Sequence, residues 1–206
     1  MQIGHGIIQQ IHEVVTTSIL EDCGKYRRKN VRVAGAIKIP PDWTKIVKLI
    51  DQLIFDVENS KLHPIETAAF LHHRFVEIHP FIDGNGRVAR LLTNLYLIGR
   101  NYPTIVLKKE DRKKYYQCLK SADSGNLSPF SNLIAKAVDE SLTVYLSVYG
   151  GYDELIPLGV IAQNTLYSQE YLSLRARQGV LDAVKVKKTW HTSRRALEKY
   201  LTLHGK

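Results

Sequence analysis

The sequence predicts a mainly α-helical protein with one short β-hairpin and a second, smaller domain at its end. Apolar residues recur at helical spacing through most of the first part of the chain. Only residues 31–41 alternate around a glycine, which is typical of a hairpin. The pair Gly150 and Gly151 then interrupts the helical pattern. We therefore predict a first domain at residues 1–150 and a second at 151–206.

The helices of the first domain follow from the same spacing and from local start and stop residues. His63 can cap a helix that has Pro64 at its first position, and Gly99 can end the helix after it. A charged run at residues 108–114 is best explained as the solvated start of a further helix. The remaining helices are predicted at residues 7–20, 42–57 and 130–149.

Composition excludes several classes of protein. The chain has 206 residues, 44% of them hydrophobic and 24% charged, as in ordinary globular proteins. It has no apolar run long enough for a membrane span and no signal peptide, so we expect no membrane association and a cytoplasmic location. Two isolated cysteines, Cys23 and Cys118, make a disulfide framework or a zinc site untenable. The net charge of +9 raises nucleic acid or an acidic surface as a partner.

One loop between two predicted helices concentrates the chemically useful groups. Gly84 and Gly86 allow positive φ angles and leave N–H groups open to solvent, and the helix that follows favours an anion at its N-terminus. Arg87 and Arg90 lie three residues apart and share a face of that helix. The segment also holds His79, a candidate base, and Asp83, a candidate Mg²⁺ ligand.

Three ordinary explanations of this loop fail. A surface Asn-Gly hairpin needs alternating strands on both sides, whereas both flanks have helical spacing. A calcium loop starting at Asp83 needs acidic ligands where Arg87 and Asn94 stand. The chain also lacks the lysine motif of the P-loop.

The twelve residues from His79 to Arg90, HPFIDGNGRVAR, resemble the complete motif of the Fic family. The resemblance extends over roughly residues 7–149. It implies an all-helical domain that transfers AMP from ATP to a protein hydroxyl. It also implies that residues 31–41 form the family's substrate-clamping flap, with Val33, Gly35 and Ile37 in it.

The chemistry of such a transfer fits the residues of the loop. His79 is the expected general base, and Asp83 is expected to hold Mg²⁺ with the phosphate oxygens of ATP. We expect Asn85 to bond the α-phosphate, while the backbone of Gly84 and Gly86 cradles the phosphates. Of the remaining side chains, Arg87 is assigned to the β-phosphate, Arg90 to the γ-phosphate, and Phe81 to anchoring the loop in the core.

Two upstream segments bear on the target and on regulation. The edge of a ribbon at residues 31–41 can take up an extended peptide, although a ribbon without a function fits the pattern too. The spacing of Thr17 and Glu21 resembles the inhibitory motif of Fic proteins, but Asp22 departs from it. We therefore do not expect Glu21 to inhibit.

The second domain resembles an excisionase-like winged helix-turn-helix. Short helices are predicted at 158–164 and 168–178, strands at 181–186 and 189–192, and a last helix after Ser193. Residues 151–206 contain nine Lys or Arg against five Asp or Glu. The candidate DNA contacts are Arg175, Arg177, Lys187 and Lys188. A helical accessory that packs on the first domain or recruits a target is the alternative.

The sequence therefore predicts a protein adenylyltransferase that uses ATP and Mg²⁺ to modify a Ser, Thr or Tyr hydroxyl. One alternative is a DNA-binding regulator whose Fic domain senses nucleotide, and another is a Fic enzyme that transfers a different phosphate-containing group. A homodimer is compatible with the apolar helix faces.

Overall fold

The structure, a computed structural model, describes residues 3–33, 38–148, 154–186 and 188–204. Within them the chain is mainly helical with one small sheet, as the sequence predicts. It divides into two compact units, Met1–Val138 and Asp139–Lys206. The domain boundary predicted between residues 150 and 151 stays a prediction, because it falls within residues 149–153, which are outside the described part of the chain.

The first unit is built from helices that the sequence predicts closely. Short 3-10 turns at Trp43–Lys45 and Lys109–Asp111 lead into two of them. The described helices are α1 (His5–Thr16), α2 (Ile46–Glu58), α3 (Pro64–Ile78), α4 (Asn85–Ile98), α5 (Arg112–Asp123) and α6 (Ser128–Val148), the last of which continues into the second unit.

Local side chains explain where α1 and α3 begin or end. At α3 the side chain of His63 accepts from the N–H of Ile65, and Glu66 accepts from the N–H of His63, so the predicted cap is present. Helix α1 ends earlier than the predicted residue 20. The Thr17 hydroxyl donates back to the Glu13 carbonyl, and Ser18 has a φ of 68°, which helical backbone cannot adopt.

The core of the first unit surrounds the segment between α3 and α4. Helix α4 packs against both α3 and α1, and α2 packs against α3. Several side chains from these helices and the intervening loop are completely buried, namely Phe75, Ile78, Phe81, Val88 and Leu92. The loop is therefore fixed at both ends by packed helices.

The second unit contains a three-stranded antiparallel sheet with short helices. Its strands are β1 (Ile156–Pro157), β2 (Val184–Val186) and β3 (Thr189–Thr192), in the order β1–β3–β2. Its helices are α7 (Leu158–Ile161), α8 (Gln169–Arg177) and α9 (Arg194–His204). Strand β1 is absent from the sequence prediction. The hydroxyl oxygen of Ser193 accepts from the N–H of Ala196, as predicted for the cap of the last helix.

None of the helices in the described part of the chain combines the length and the apolar character needed to cross a lipid bilayer.

Candidate active site

The predicted catalytic loop joins α3 to α4, and the residue at each of these helix ends has a left-handed backbone conformation. His79 ends α3 with φ 51° and ψ 59°, and Gly84 precedes α4 with φ 78°. Phe81 is completely buried, so the sequence assignment of this ring as an anchor agrees with its position. Gly86 lies in the first turn of α4 and has no positive φ. Only Gly84 therefore uses the conformational freedom that the sequence suggested for both glycines.

Asn85 has a role that the sequence did not suggest. Its side-chain oxygen accepts from the Phe81 N–H at 2.9 Å, and its side-chain nitrogen donates to the Phe81 carbonyl at 2.9 Å. The residue is 2% exposed. In this structure Asn85 closes the loop on itself, and its contact with an α-phosphate stays a prediction.

His79 has its ring orientation fixed by a backbone carbonyl. Its Nδ1 lies 3.2 Å from the oxygen of Val76. Because a carbonyl can only accept, Nδ1 carries the proton and Nε2 is left as a proton acceptor. Burial lowers the pKa of His79, while the Val76 bond acts in the opposite direction. The ring therefore stays neutral, and so able to accept a proton, at pH values where an ordinary histidine would already be protonated.

A cavity lies beside the His79 ring and could hold a molecule in contact with it. It has a volume of about 400 Å³ and is lined by residues of α3 and α5 and by Val33, Lys38 and Pro40. Tyr116 is one of its lining residues and is half exposed. Its neighbour in sequence, Tyr115, is instead buried.

Arg27 holds three separate pieces of backbone together and was missed from the sequence. Its guanidinium donates to the carbonyls of His79 at 2.8 Å, Lys29 at 2.8 Å and Pro41 at 2.6 Å. Its own N–H donates to the Pro80 carbonyl at 2.9 Å. Only 3% of Arg27 is exposed. The residue thus links the catalytic loop to both ends of the predicted flap.

The flap itself lies partly outside the described residues. Val33 is half-buried and lines the cavity beside His79, whereas Gly35 and Ile37 fall in the undescribed stretch 34–37. The described flanks, residues 31–33 and 38–41, form no strand, so the predicted hairpin is not confirmed. Lys38, in the second half of the predicted flap, pairs with Glu77 of α3 at 2.8 Å.

Asp83 is exposed at the turn before α4, and its carboxylate is suited to one metal ion. One oxygen accepts from the Gly84 N–H at 2.6 Å, and this leaves the other oxygen for a cation. No cluster of three or more His, Cys, Asp or Glu side chains suited to a metal occurs in the described part of the chain. A lone carboxylate fits Mg²⁺ that arrives with a nucleotide, because Mg²⁺ takes most of its ligands from phosphate and water.

The two arginines of α4 bond to different neighbours, and their predicted shared face stays a prediction. Arg87 is exposed and donates to the Val15 carbonyl of α1 at 2.8 Å. Arg90 is half-buried, donates to the Gly86 carbonyl at 3.0 Å and lies over the ring of Tyr115 at 5.2 Å. Their contacts with phosphates stay predictions.

A buried relay of hydrogen bonds supports the tyrosine under Arg90. The Thr93 hydroxyl donates to the Ala89 carbonyl at 2.7 Å, so its oxygen accepts from His72 Nδ1–H at 2.9 Å. His72 Nε2 must then accept from the Tyr115 hydroxyl at 2.9 Å. Burial lowers the pKa of His72 to about 3.

His12 of α1 is the second residue that the sequence prediction missed. The ring is buried and stacks on Phe81 with centroids 3.7 Å apart. Nε2 lies 3.1 Å from the Asp83 carbonyl, and Nδ1 accepts from the Gly24 N–H at 2.9 Å. Burial lowers the pKa of His12.

The predicted DNA contacts in the second unit lie in different surroundings. Arg175 lies over the ring of Tyr171 at 4.8 Å and donates to the Gln178 side chain. Arg177 is exposed at the end of α8, and Lys188 is exposed between β2 and β3. Lys187 falls outside the described residues.

Comparisons with known proteins agree with the resemblance seen in the motif. Residues 3–97 match the sequence model of the Fic/DOC family. A protein adenylyltransferase Fic of Drosophila persimilis is 38% identical over 136 residues, which cover 66% of this chain and 27% of that protein. The corresponding protein of Drosophila willistoni is 35% identical over 75% of this chain and 31% of its own length. The chain thus spans less than a third of the curated relatives cited here.

Solved structures give the same answer for the fold. A Fic domain-containing signaling protein from Bacteroides thetaiotaomicron aligns with a TM-score of 0.65 and 27% identity, covering 74% of this chain and 65% of that one. Fic-1 from C. elegans aligns with a TM-score of 0.64 and 29% identity over 73% of this chain and 45% of its own. Residues 3–97 of this chain therefore belong to the Fic/DOC family.

Proposed function

We propose that this chain is a protein adenylyltransferase that transfers AMP from ATP to a Ser, Thr or Tyr hydroxyl of a target protein. The observation that carries the proposal is the orientation of His79. Its Nδ1–H is bonded to the Val76 carbonyl and its ring lines a cavity, so Nε2 is the atom left to accept a proton. The relatives named protein adenylyltransferase Fic support the same activity.

The reaction assigns a task to each residue of the loop. His79 Nε2 would take the proton of the acceptor hydroxyl as its oxygen attacks the α-phosphorus and the bond to the β-phosphate oxygen breaks. Asp83 would hold Mg²⁺, which supplies positive charge to the phosphate oxygens. The N-terminus of α4 favours the negative phosphates, and Arg87 and Arg90 would neutralise the departing pyrophosphate.

The pocket beside His79 is suited to the rest of the nucleotide. Its volume of about 400 Å³ lies in the range of small-molecule sites. Tyr116 offers an aromatic face, while Val33 and Pro40 supply apolar contacts from the flap region. These groups would bury a base and a ribose next to the loop that binds the phosphates.

Labelled ATP tests the proposal directly. The chain, Mg²⁺ and a protein lysate should yield labelled proteins with ATP labelled at the α-phosphate and none with ATP labelled at the γ-phosphate. His79→Ala should remove the label, whereas His204→Ala, which changes an exposed histidine of the second unit, should retain it. Label that survives His79→Ala would refute the assignment of the base. Transfer of the γ-label would favour the alternative phosphate transfer.

We propose DNA binding as a second function, carried by the order of the strands in the second unit. The proposal is supported by two short helices, α7 and α8, which precede the hairpin of β2 and β3, with β1 pairing on β3. A winged helix-turn-helix would have its helices and its wing in this order. In this fold α8 would enter the major groove. The hairpin that bears Lys188 would contact the backbone.

A salt series on the full chain tests this second function. Binding to duplex DNA in a gel-shift assay should weaken as salt rises. The double variant Arg177→Ala, Lys188→Ala should reduce the slope of log affinity against log salt by roughly two, about one for each phosphate that is no longer neutralised. Absence of any shift at low salt would exclude DNA as the partner.

A further inference from the structure

His12 packs against the predicted catalytic loop and contacts it in two ways. Its ring stacks on Phe81 at an interplanar angle of 5°, and Nε2 lies 3.1 Å from the Asp83 carbonyl. A side chain added at Gly84 would come within 3.5 Å of the ring. The residue comes from α1, 71 positions before Asp83, and is 1% exposed.

The hydrogen-bond partners of the ring decide where its proton lies. The Gly24 N–H can only donate, so Nδ1 accepts, and the neutral ring must carry its proton on Nε2. Nε2–H therefore donates to the Asp83 carbonyl. The same imidazole thus joins the segment after α1 to the turn before α4.

This bond fixes the peptide unit that carries the predicted metal ligand. The Asp83 carbonyl and the Gly84 N–H belong to one planar peptide group. One end of this group is held by His12, and the other donates to the Asp83 carboxylate at 2.6 Å. Rotation of the peptide would break both bonds and release the carboxylate from its position. Gly84, with its φ of 78°, has a backbone that permits such a rotation at low cost.

We infer that His12 is a positioning residue that holds the Asp83 carboxylate ready for the Mg²⁺ of a bound nucleotide. The inference rests on the proposed function, since it needs nucleotide and Mg²⁺ at this loop. His12 does not touch the reacting atoms. It acts through the 83–84 peptide, so its loss weakens the part of nucleotide affinity that depends on Mg²⁺ and leaves the rest.

A matched pair of amide variants separates the two bonds of the ring. His12→Gln places an N–H near the position of Nε2 and can still donate to the Asp83 carbonyl. His12→Asn places an acceptor near Nδ1 for the Gly24 N–H but cannot reach Asp83. His12→Phe keeps the stacking on Phe81 and removes both bonds. The three variants therefore separate the bond to Asp83 from the bond to Gly24.

The measurement is the affinity for an ATP analogue with a non-cleavable bridge between its α- and β-phosphates, determined by calorimetry with Mg²⁺ and with EDTA. The ratio of the two affinities is the Mg²⁺-dependent gain. We expect His12→Asn and His12→Phe to reduce this gain roughly three- to tenfold, as the loss of one neutral hydrogen bond does, and to leave the affinity in EDTA within about twofold. His12→Gln should retain the gain.

Different outcomes overturn different parts of the inference. If His12→Asn keeps the full gain, or loses affinity equally with and without Mg²⁺, then His12 is a core residue without a positioning role. This holds even where His12→Phe does not fold, because the Asn and Gln variants form the decisive comparison. If the wild-type chain shows no Mg²⁺-dependent gain, the proposed function fails and the role of His12 fails with it.

Discussion

Replacing His72 with glutamine should reduce by one the number of protons that the first unit takes up when it unfolds in acid. His72 is fully buried between Thr93 and Tyr115, and burial lowers its pKa from 6.5 to about 3. The folded chain thus keeps this ring neutral, whereas the unfolded chain takes up a proton below about pH 6.5. The stability that depends on the neutral ring is therefore complete above pH 6.5 and is lost progressively as the pH falls towards 3.

The size of this effect follows from the pH interval. Each pH unit between the two pKa values costs about 1.36 kcal/mol for one proton. From pH 6.5 to 4.5 the wild-type free energy of unfolding should fall by roughly 2 kcal/mol more than that of His72→Gln, less than two full pH units would give, because the unfolded ring is already half protonated at pH 6.5. The variant loses a relay bond and is expected to be less stable at neutral pH, so the difference between the two proteins should shrink on acidification.

Tryptophan fluorescence can follow the first unit alone. The chain has two tryptophans, Trp43 in the first unit and Trp190 in the second, so a Trp190→Phe background leaves one reporter. Urea unfolding at pH values from 7 to 4.5 would be compared for the background, for His72→Gln and for His204→Gln. For the exposed His204→Gln control, the free energy of unfolding should depend on pH as it does for the background. If His72→Gln shows that same pH dependence, the buried neutral imidazole is refuted.

Three further predictions concern the catalytic loop. Because burial lowers the pKa of His79, kcat/KM for adenylyl transfer should persist as the pH drops through 6.5, and an acid limb centred at or above 6.5 would contradict the base assignment. Gly84→Ala should destabilise the first unit by roughly 1–3 kcal/mol in urea unfolding, because φ is positive and the new carbon lies 3.0 Å from Thr16 Cγ2. Gly125 also has a positive φ but open space around it, so Gly125→Ala should show the cost of the backbone strain alone. If both variants lose the same free energy of unfolding, the close contact between residue 84 and Thr16 has no effect. Phe81→Ala should cost about 3–5 kcal/mol in the same assay as a cavity opens in the core, and a loss below about 1 kcal/mol would argue against its anchoring role.

The elements that local patterns specify were predicted well from the sequence. The start of α3 depends on His63, Pro64 and Glu66, which are neighbours along the chain. The turn before α4 depends on a glycine that needs a positive φ. Such features are written within a few residues, so the sequence displays them without knowledge of the tertiary structure.

The residues that brace the loop could not be found in the same way. Arg27 bonds to a carbonyl 52 positions away, and His12 to one 71 positions away. A basic residue near the N-terminus is normally a solvated one, and no local pattern marks these two as buried. Strand β1 was missed for a related reason, because two residues ending in proline carry no alternation and pair only through β3.

Arg27 gives the predicted flap and the base a common mechanical support. One guanidinium bonds to the carbonyls at both roots of the flap and to the carbonyl of His79. A target polypeptide that displaces the flap would therefore also shift the backbone of His79, because the Arg27 side chain bonds to both. Moving the twelve-residue motif into another helical scaffold would leave this brace behind, so a transplanted loop needs the stretch from α1 to Pro41 as well as the motif.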